Sequence, residues 1–319
     1  MKAPAFWSDP KAPHIPPLDW AGYAYRLVGK IRRALAKPYT PKVPLLCIGN
    51  IVAGGAGKTP TALALHRLFL KVSPTNKPVF VTRGYGGSER GPLRVDPARH
   101  TVAEVGDEAL LLAQEGIVWM AKDRVAAIRE AEREATHIIL DDGLQNPNFT
   151  PTRSILVVDG PAGFGNNRLI PAGPLREMLA DALARLDAVL IIGEDHHNIA
   201  QQVCDKPVCH ARFIPSLSGD VAQGDEILAF AGIGRPQKFY DTCREAALTV
   251  RETASFPDHH PYTRKELDNL LATAQSKKLH LVTTAKDYVR LPPDFRTKTS
   301  VLNIRLMIED EGKLLKVLN

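Results

Sequence analysis

The chain has 319 residues, 44% of them hydrophobic and 24% charged, which allows one large core or two smaller ones and excludes a disordered or repetitive protein. Its formal charge of +6 lies entirely in residues 1–42, where Lys2, Lys11, Arg26, Lys30, Arg32, Arg33, Lys37 and Lys42 face only Asp9 and Asp19; a neutral body argues against a nucleic-acid partner and for an N-terminal device. Cys47, Cys204, Cys209 and Cys243 are too scattered for a disulfide framework or a metal quartet, so reduced thiols in a cytosolic compartment are expected.

Residues 1–18 carry Pro4, Pro10, Pro13, Pro16 and Pro17 beside Phe6 and Trp7 and cannot form one regular helix. No apolar segment follows Lys2, so no secretory signal is expected. From Asp19, which has N-cap chemistry, WAGYAYRLVGKIRRALA predicts an amphipathic helix. Trp20, Ala24, Leu27, Ile31 and Leu35 share one face, and Arg26, Lys30 and Arg33 lie towards the other. Such a helix suits an anionic bilayer surface; a helix packed on the protein with a solvated basic side fits the same pattern. No stretch approaches the roughly 18 apolar residues of a transmembrane span.

Val43–Thr61 reads as strand, glycine-rich loop and helix. The apolar run Val43–Ile48 leads through Val52, Ala53, Gly54, Gly55, Ala56 and Gly57 to Lys58 and Thr59, after which Leu63, Leu65, Leu68 and Phe69 follow helical spacing. In a phosphate-binding loop the glycines let backbone N–H groups converge on phosphate oxygens, the lysine reaches the terminal phosphates, and the threonine hydroxyl ligates Mg2+. Val52 stands where the GxxxxGK[ST] pattern has glycine, so the motif alone also admits a plain turn with an incidental lysine.

Strand patterns recur at Lys77–Thr82, Val118–Ala121, Thr136–Leu140, Ser154–Val158 and Ala188–Ile192, with helices predicted at Ala109–Gln114 and Leu175–Leu186. Arg83-Gly84-Tyr85-Gly86-Gly87 ends the first of these strands and is either an anion contact or a plain turn. Asp107 and Asp123 read by composition as helix caps. Asp141 and Asp142 end a buried strand, the layout of carboxylates that hold Mg2+ directly or through water. Residues 163–177 form a loop too long for a plain connection. Beyond an irregular stretch near 215–224 come the strand-like Glu226–Gly234, helices at Pro236–Ala247 and Arg264–Ser276, and strands at His280–Thr284 and Ser300–Met307. The alternation predicts an α/β fold, a doubly wound parallel sheet like that of P-loop NTPases, with a second, smaller α/β domain. The boundaries expected are 1–36, 37–222 and 223–319.

From Trp20 onward the chain resembles the tetraacyldisaccharide 4′-kinases, the lipid A kinases of Gram-negative bacteria. The resemblance rests on GNIVAGGAGKTP, TRGYGG, VGDEALLLA, KDR, DDGLQNP, VVDGPAGFGNNRLIPAGPLRE, LAFAGIGRPQKF, FPDHHPYT and LVTTAKDYVRL, in that order. It implies ATP- and Mg2+-dependent phosphorylation of the 4′ hydroxyl of a tetraacyl glucosamine disaccharide 1-phosphate by a peripheral enzyme at the cytoplasmic face of the inner membrane. It also implies that a non-glycine residue at position 52 is tolerated, that Asp107 is the base, and that His259 supports it, with Lys58 and Asp142 completing the catalytic set. Thr59, Asp141 and Asp142 become the metal ligands. Arg83, Tyr85, Gln145, Asn166, Arg168, Arg176 and Glu177 become candidate substrate contacts. Leu144 and Asn146 depart from the Phe and His usual in that motif, and Asn146 cannot act as acid or base.

Two other classes remain. A GTPase-like switch would read guanine through [NT]KxD, which Thr284-Ala285-Lys286-Asp287 approaches with the lysine one place late. A non-enzymatic membrane module would hold ATP only as a structural ligand, which Lys58, Asp107 and Asp142 together weigh against. Lipid substrate and anionic membrane are the partners expected; no obligate protein partner is.

Overall fold

The structure, a computed structural model, describes residues 4–318. Lys2, counted above in the N-terminal charge, and the other outermost residues of regions 1–36 and 223–319 lie outside the described residues. After α1 (Pro16–Leu35) come β1 (Leu45–Gly49), α2 (Lys58–Val72), β2 (Pro78–Thr82), β3 (Leu93–Arg94), α3 (Val102–Val105), α4 (Asp107–Ala113), β4 (Val118–Met120) and α5 (Arg124–Ala131). Then follow β5 (His137–Asp141), β6 (Arg153–Asp159), α6 (Leu179–Leu183), β7 (Ala188–Ile192) and α7 (Ile199–Gln202). The remainder comprises β8 (Val208–Ser218), β9 (Glu226–Ala231), α8 (Pro236–Glu245), β10 (Thr249–Ser255), α9 (Arg264–Lys277), β11 (His280–Thr284), α10 (Ala285–Tyr288), α11 (Pro293–Arg296), β12 (Ser300–Ile308) and α12 (Glu311–Leu318).

Among the described residues these strands form one sheet, in the order β10-β9-β11-β12-β8-β7-β6-β1-β5-β2-β4-β3. It consists of two parallel blocks that meet at the antiparallel pair β8 and β12, with the two-residue β3 added antiparallel to β4 at one edge. In β1 alternate residues feed opposite faces: Leu46 and Ile48 pack with Leu65 of α2 and Leu112 of α4, while Leu45 and Cys47 pack with Ile128 of α5 and Ala182 of α6. A sheet covered on both faces accounts for the fully buried strands β1, β2 and β7.

Two expectations change, and one strand is added. The helix over Leu175–Leu186 shrinks to α6, because Leu175 forms bridges to Val52 and Leu169 instead. The stretch near Pro215 is part of β8, where residues past Ala211 pair only with β12; the other edge is free, so a proline without an N–H is tolerated. β10, for which no element was predicted, is an edge strand of alternately exposed polar residues.

Candidate active site

The parallel register sets Ile48 opposite Asp141, so the end of β5 lies abreast of the glycine loop that leaves β1. The loop enters α2 through Gly57 at φ 86°, where a Cβ would approach Ile192 Cδ1 to 2.7 Å and Phe213 Cζ to 3.2 Å. Open space lies around Gly54 and Gly55. Asn50, directly before the loop, ties it together: its side-chain N–H groups donate to the carbonyls of Val52 (2.7 Å) and Gly54 (3.3 Å), and its Oδ1 accepts from Lys58 Nζ (3.2 Å). Ala53 N–H donates to the Pro174 carbonyl and Arg176 N–H to that of Ile51, so residues 174–176 brace the first half of the loop. Val52 therefore belongs to this brace, and positions 54–59 form the open cradle.

Lys58 Nζ lies 3.7 Å from Asp142 Oδ1, which Arg176 also approaches at 3.4 Å. The Thr59 hydroxyl donates to Asp141 Oδ2 at 2.9 Å, while Asp141 Oδ1 is buried without a hydrogen-bond partner. A hydroxyl and a half-satisfied carboxylate at a phosphate cradle are the hard oxygen donors Mg2+ takes alongside nucleotide oxygens. The residues present fit that ion. Burial first, then the charge of Glu108, pushes the Asp141 carboxyl up to about 7. Its folded value thus exceeds the ordinary one, so its contribution to stability is present below about pH 4 and lost as pH rises through 7. Asp141→Asn carries no such loss and is expected, in Mg2+-free buffer at pH 8, to melt a few degrees above the wild type; an equal or lower melting temperature contradicts this.

Asp107, read by composition as a cap, begins α4 but its side chain is 2% exposed. Oδ1 accepts from the Glu108 N–H (2.9 Å), and Oδ2 meets His259 Nδ1 (3.1 Å) and Arg290. Burial alone would raise this carboxyl; the His259 hydrogen bond and the charges of Lys286 and Arg290 outweigh it and hold the group below the usual range. Contact with Asp107 in turn raises His259. Lys286 Nζ bonds Glu108 Oε1 at 2.9 Å. Lys286, Asp287 and Arg290 are the residues that sequence reasoning missed, because TAKD was weighed only as a guanine motif. Asp287 is fully buried and bonded within the second block, not offered to a base. A cluster of three charges just past a predicted strand was the available signal.

Arg83 and Tyr85 are exposed on the turn after β2, the Tyr85 ring 6.0 Å from that of His259. Gln145 donates to the Asn50 carbonyl and to Glu177 Oε1, both at 2.9 Å. Glu177 also pairs with Arg185 and, at 3.7 Å, with Arg33 of α1. Asn146 caps a local turn by accepting from the Asn148 N–H. Leu144 is buried under Gly49. Two candidate substrate contacts are engaged elsewhere. Asn166 donates to the carbonyls of Phe6 and Ala172, and Arg168 to those of Ala12 and Pro13, so both strap the N-terminal arm to the loop.

Of the two orientations that the pattern allowed for α1, the packed helix with a solvated basic side is not found: Arg26 (2.7 Å) and Lys30 (3.4 Å) reach Asp181 of α6, while Trp20 (75% exposed), Tyr23, Leu27, Val28 and Leu35 (76%) face outward. Gly22 is the buried residue of the helix, and a Cβ there would come within 3.1 Å of Leu169 Cβ. Among the described residues no helix is long and apolar enough to cross a membrane.

Backbone N–H groups, a lysine and a threonine at the junction of a parallel strand with its helix, beside a strand-end carboxylate, place this fold among the P-loop phosphotransferases. A family model described as tetraacyldisaccharide-1-P 4′-kinase matches residues 16–319. Tetraacyldisaccharide 4′-kinases of Paramagnetospirillum magneticum (45% identity, 96% of this chain and 94% of that one) and Rhodospirillum centenum (45%, 100% and 96%) are similar throughout. The crystal structure of LpxK from Aquifex aeolicus in complex with ATP superposes with a TM-score of 0.75 at 25% identity, covering 93% of this chain and 96% of that one. The chain belongs to the tetraacyldisaccharide-1-P 4′-kinase family and is an ATP-dependent kinase.

Proposed function

We propose that the chain transfers the γ-phosphoryl group of ATP to the 4′ hydroxyl of a tetraacyl glucosamine disaccharide 1-phosphate, a lipid A precursor. The observation that carries this reading is the meeting of Asp107 with His259, 152 residues apart, at α4, where Glu108 is near enough to the loop to shift Asp141. An acceptor hydroxyl between Asp107 and the loop would have a carboxylate to take its proton and a phosphate cradle opposite. Phosphoryl transfer depends chiefly on in-line positioning and charge neutralisation. Lys58 neutralises the transferring phosphates, and the N–H groups of positions 54–59 hold them. Thr59 and Asp141, with Asp142, would hold Mg2+, which supplies further charge neutralisation. Arg176, Arg83 and Tyr85 line the acceptor side, with Gln145 and Glu177 bracing it. The test is transfer of labelled phosphate from ATP to the disaccharide lipid with GTP as control; transfer from GTP alone, or none, overturns the reading.

The same reading puts the enzyme at the cytoplasmic face of the inner membrane, supported by the outward apolar face of α1. Because Arg26, Lys30 and Arg33 are engaged with α6 and Glu177, apolar insertion dominates over charge. Leu27→Glu with Leu35→Glu is expected to lower co-sedimentation with anionic vesicles at least about tenfold, a change in partitioning that two lost apolar anchors can supply. Salt should change wild-type binding only slightly. Equal sedimentation of variant and wild type contradicts this role. The division at residues 222 and 223 is supported by the separate cores of the second block, Phe239 and Cys243 on one face and Phe230 and Phe295 on the other, but Leu306 and Ile308 of β12 and Leu314 of α12 return to the core of the first block.

A further inference from the structure

Arg290 follows α10, and its side chain is 4% exposed, nearly as buried as the Asp107 carboxylate it meets. The guanidinium is held from behind: NH1 donates to Asp287 Oδ1 (3.1 Å) and to the Gly232 carbonyl (2.9 Å), and NH2 donates to Asp107 Oδ2. Asp287 is itself fixed by the Gly232 N–H (3.0 Å), the Tyr262 hydroxyl (2.8 Å) and the Thr284 hydroxyl (2.7 Å). The Gly232 carbonyl also accepts the His259 N–H at 3.1 Å. A Cβ at Gly232 would come within 3.1 Å of both Asp287 Oδ1 and the Pro257 carbonyl. Arg290 and the His259 turn are therefore one packed unit, mounted at the ends of β9 and β11. That unit presents two donors to a single carboxylate oxygen from the other block of the sheet.

A buried ion pair adds little net stability over apolar side chains of the same volume. What this one supplies is a fixed direction and a fixed charge at Asp107. We propose that Arg290, anchored by Asp287, is the positioning residue for Asp107: it pins the Oδ2 edge of the carboxylate and so fixes the direction in which Oδ1, which already accepts the Glu108 N–H, offers its second lone pair to the acceptor hydroxyl. This rests on the reading of Asp107 as the base.

The groups facing Asp107 are His259 from the turn after β10, Arg290 and Lys286 from around α10, and Glu108 from its own helix; Asp258 stands 3.9 Å from His259 Nε2. With Arg290 removed, His259 and Lys286 remain, and burial recovers part of its upward pull on the carboxyl. A base is active when ionised, so the acid limb of kcat moves to higher pH. Activity is lost most at low pH and partly regained as pH rises.

The experiment records kcat against pH for the full-length enzyme and its Arg290→Gln and Arg290→Lys variants, with MgATP and the acylated disaccharide 1-phosphate. Arg290→Gln is expected to raise the acid limb of kcat by about one to three pH units, the range for loss of an adjacent opposite charge, and to lower kcat on the plateau above that limb at least about tenfold, because the carboxylate is no longer pinned. The KM for ATP should change less than about threefold, because Arg290 acts through Asp107. Arg290→Lys keeps the charge but not the fork, so its limb should stay near the wild-type position while kcat still falls. A pH-independent loss with an unmoved limb in Arg290→Gln makes Arg290 a structural anchor and overturns the inference. Should that variant not fold, an unchanged kcat in Arg290→Lys overturns it equally. Asp107→Asn separates the two levels: if it keeps full activity at every pH, the reading of Asp107 fails first. If it is inactive while the Arg290→Gln limb is unmoved, only the role of Arg290 fails.

Discussion

Lys58→Ala is expected to lower kcat at least about a thousandfold, some 4 kcal/mol of transition-state stabilisation, because the glycine loop delivers this charge to the transferring phosphates. Its ammonium is presented by Asn50 Oδ1 at 3.2 Å and Asp142 at 3.7 Å, so in the nucleotide-free protein it is held ready rather than built into the core. The same geometry sets the stability effect. Lys58 pairs at the surface of the cradle, where Arg176 also reaches Asp142, and such partly exposed pairs contribute about 1 kcal/mol or less. The variant should therefore melt within a few degrees of the wild type. A folded Lys58→Ala enzyme with near-normal turnover would remove the phosphate-site assignment; a large drop in melting temperature would give the lysine a structural role.

Asp107→Ala and His259→Ala are each expected to lower kcat about a hundredfold or more, within the range for general bases, while ATP affinity changes little. Neither residue lies in the loop that holds the phosphates, and the two are bonded to one another at 3.1 Å. Side chains that act as one unit lose their joint effect once, so the double variant should fall much less than the product of the two single losses. Purely multiplicative losses would separate the residues and leave Asp107 as a base without help. Ordinary kcat in Asp107→Ala would overturn the mechanism.

The glycine loop, the buried strands and their terminal carboxylates were legible because each depends on local pattern. A run of apolar residues fully buried on both faces needs no distant partner to be recognised, and a glycine turn before Lys58 and Thr59 has few other uses. Asp107 could not be told from a cap by its residue type; it became a candidate only through the family motif, and the structure supplies its partner. The inward turn of the basic face of α1 was not legible, because Asp181 lies 155 residues beyond Arg26 and neither residue carries a pattern that names the other. Asn166 and Arg168 sit in a distinctive loop and were assigned to substrate, yet what they bind is backbone of the N-terminal arm, which no side-chain pattern marks. β10 escaped because an edge strand of alternating polar residues has almost no apolar signal to read. Arg290 was hidden by a motif comparison that fixed attention on the possibility of a base contact.

The most direct measurement of the central claim is the position of the new phosphate. The acylated disaccharide 1-phosphate is incubated with MgATP and the full-length enzyme, and the product is examined by phosphorus NMR and fragmentation mass spectrometry. The account predicts a second phosphate monoester on the 4′ oxygen, formed with one equivalent of ADP and absent with Lys58→Ala. ATP consumption with an unmodified lipid, or phosphate on any other oxygen, would contradict it.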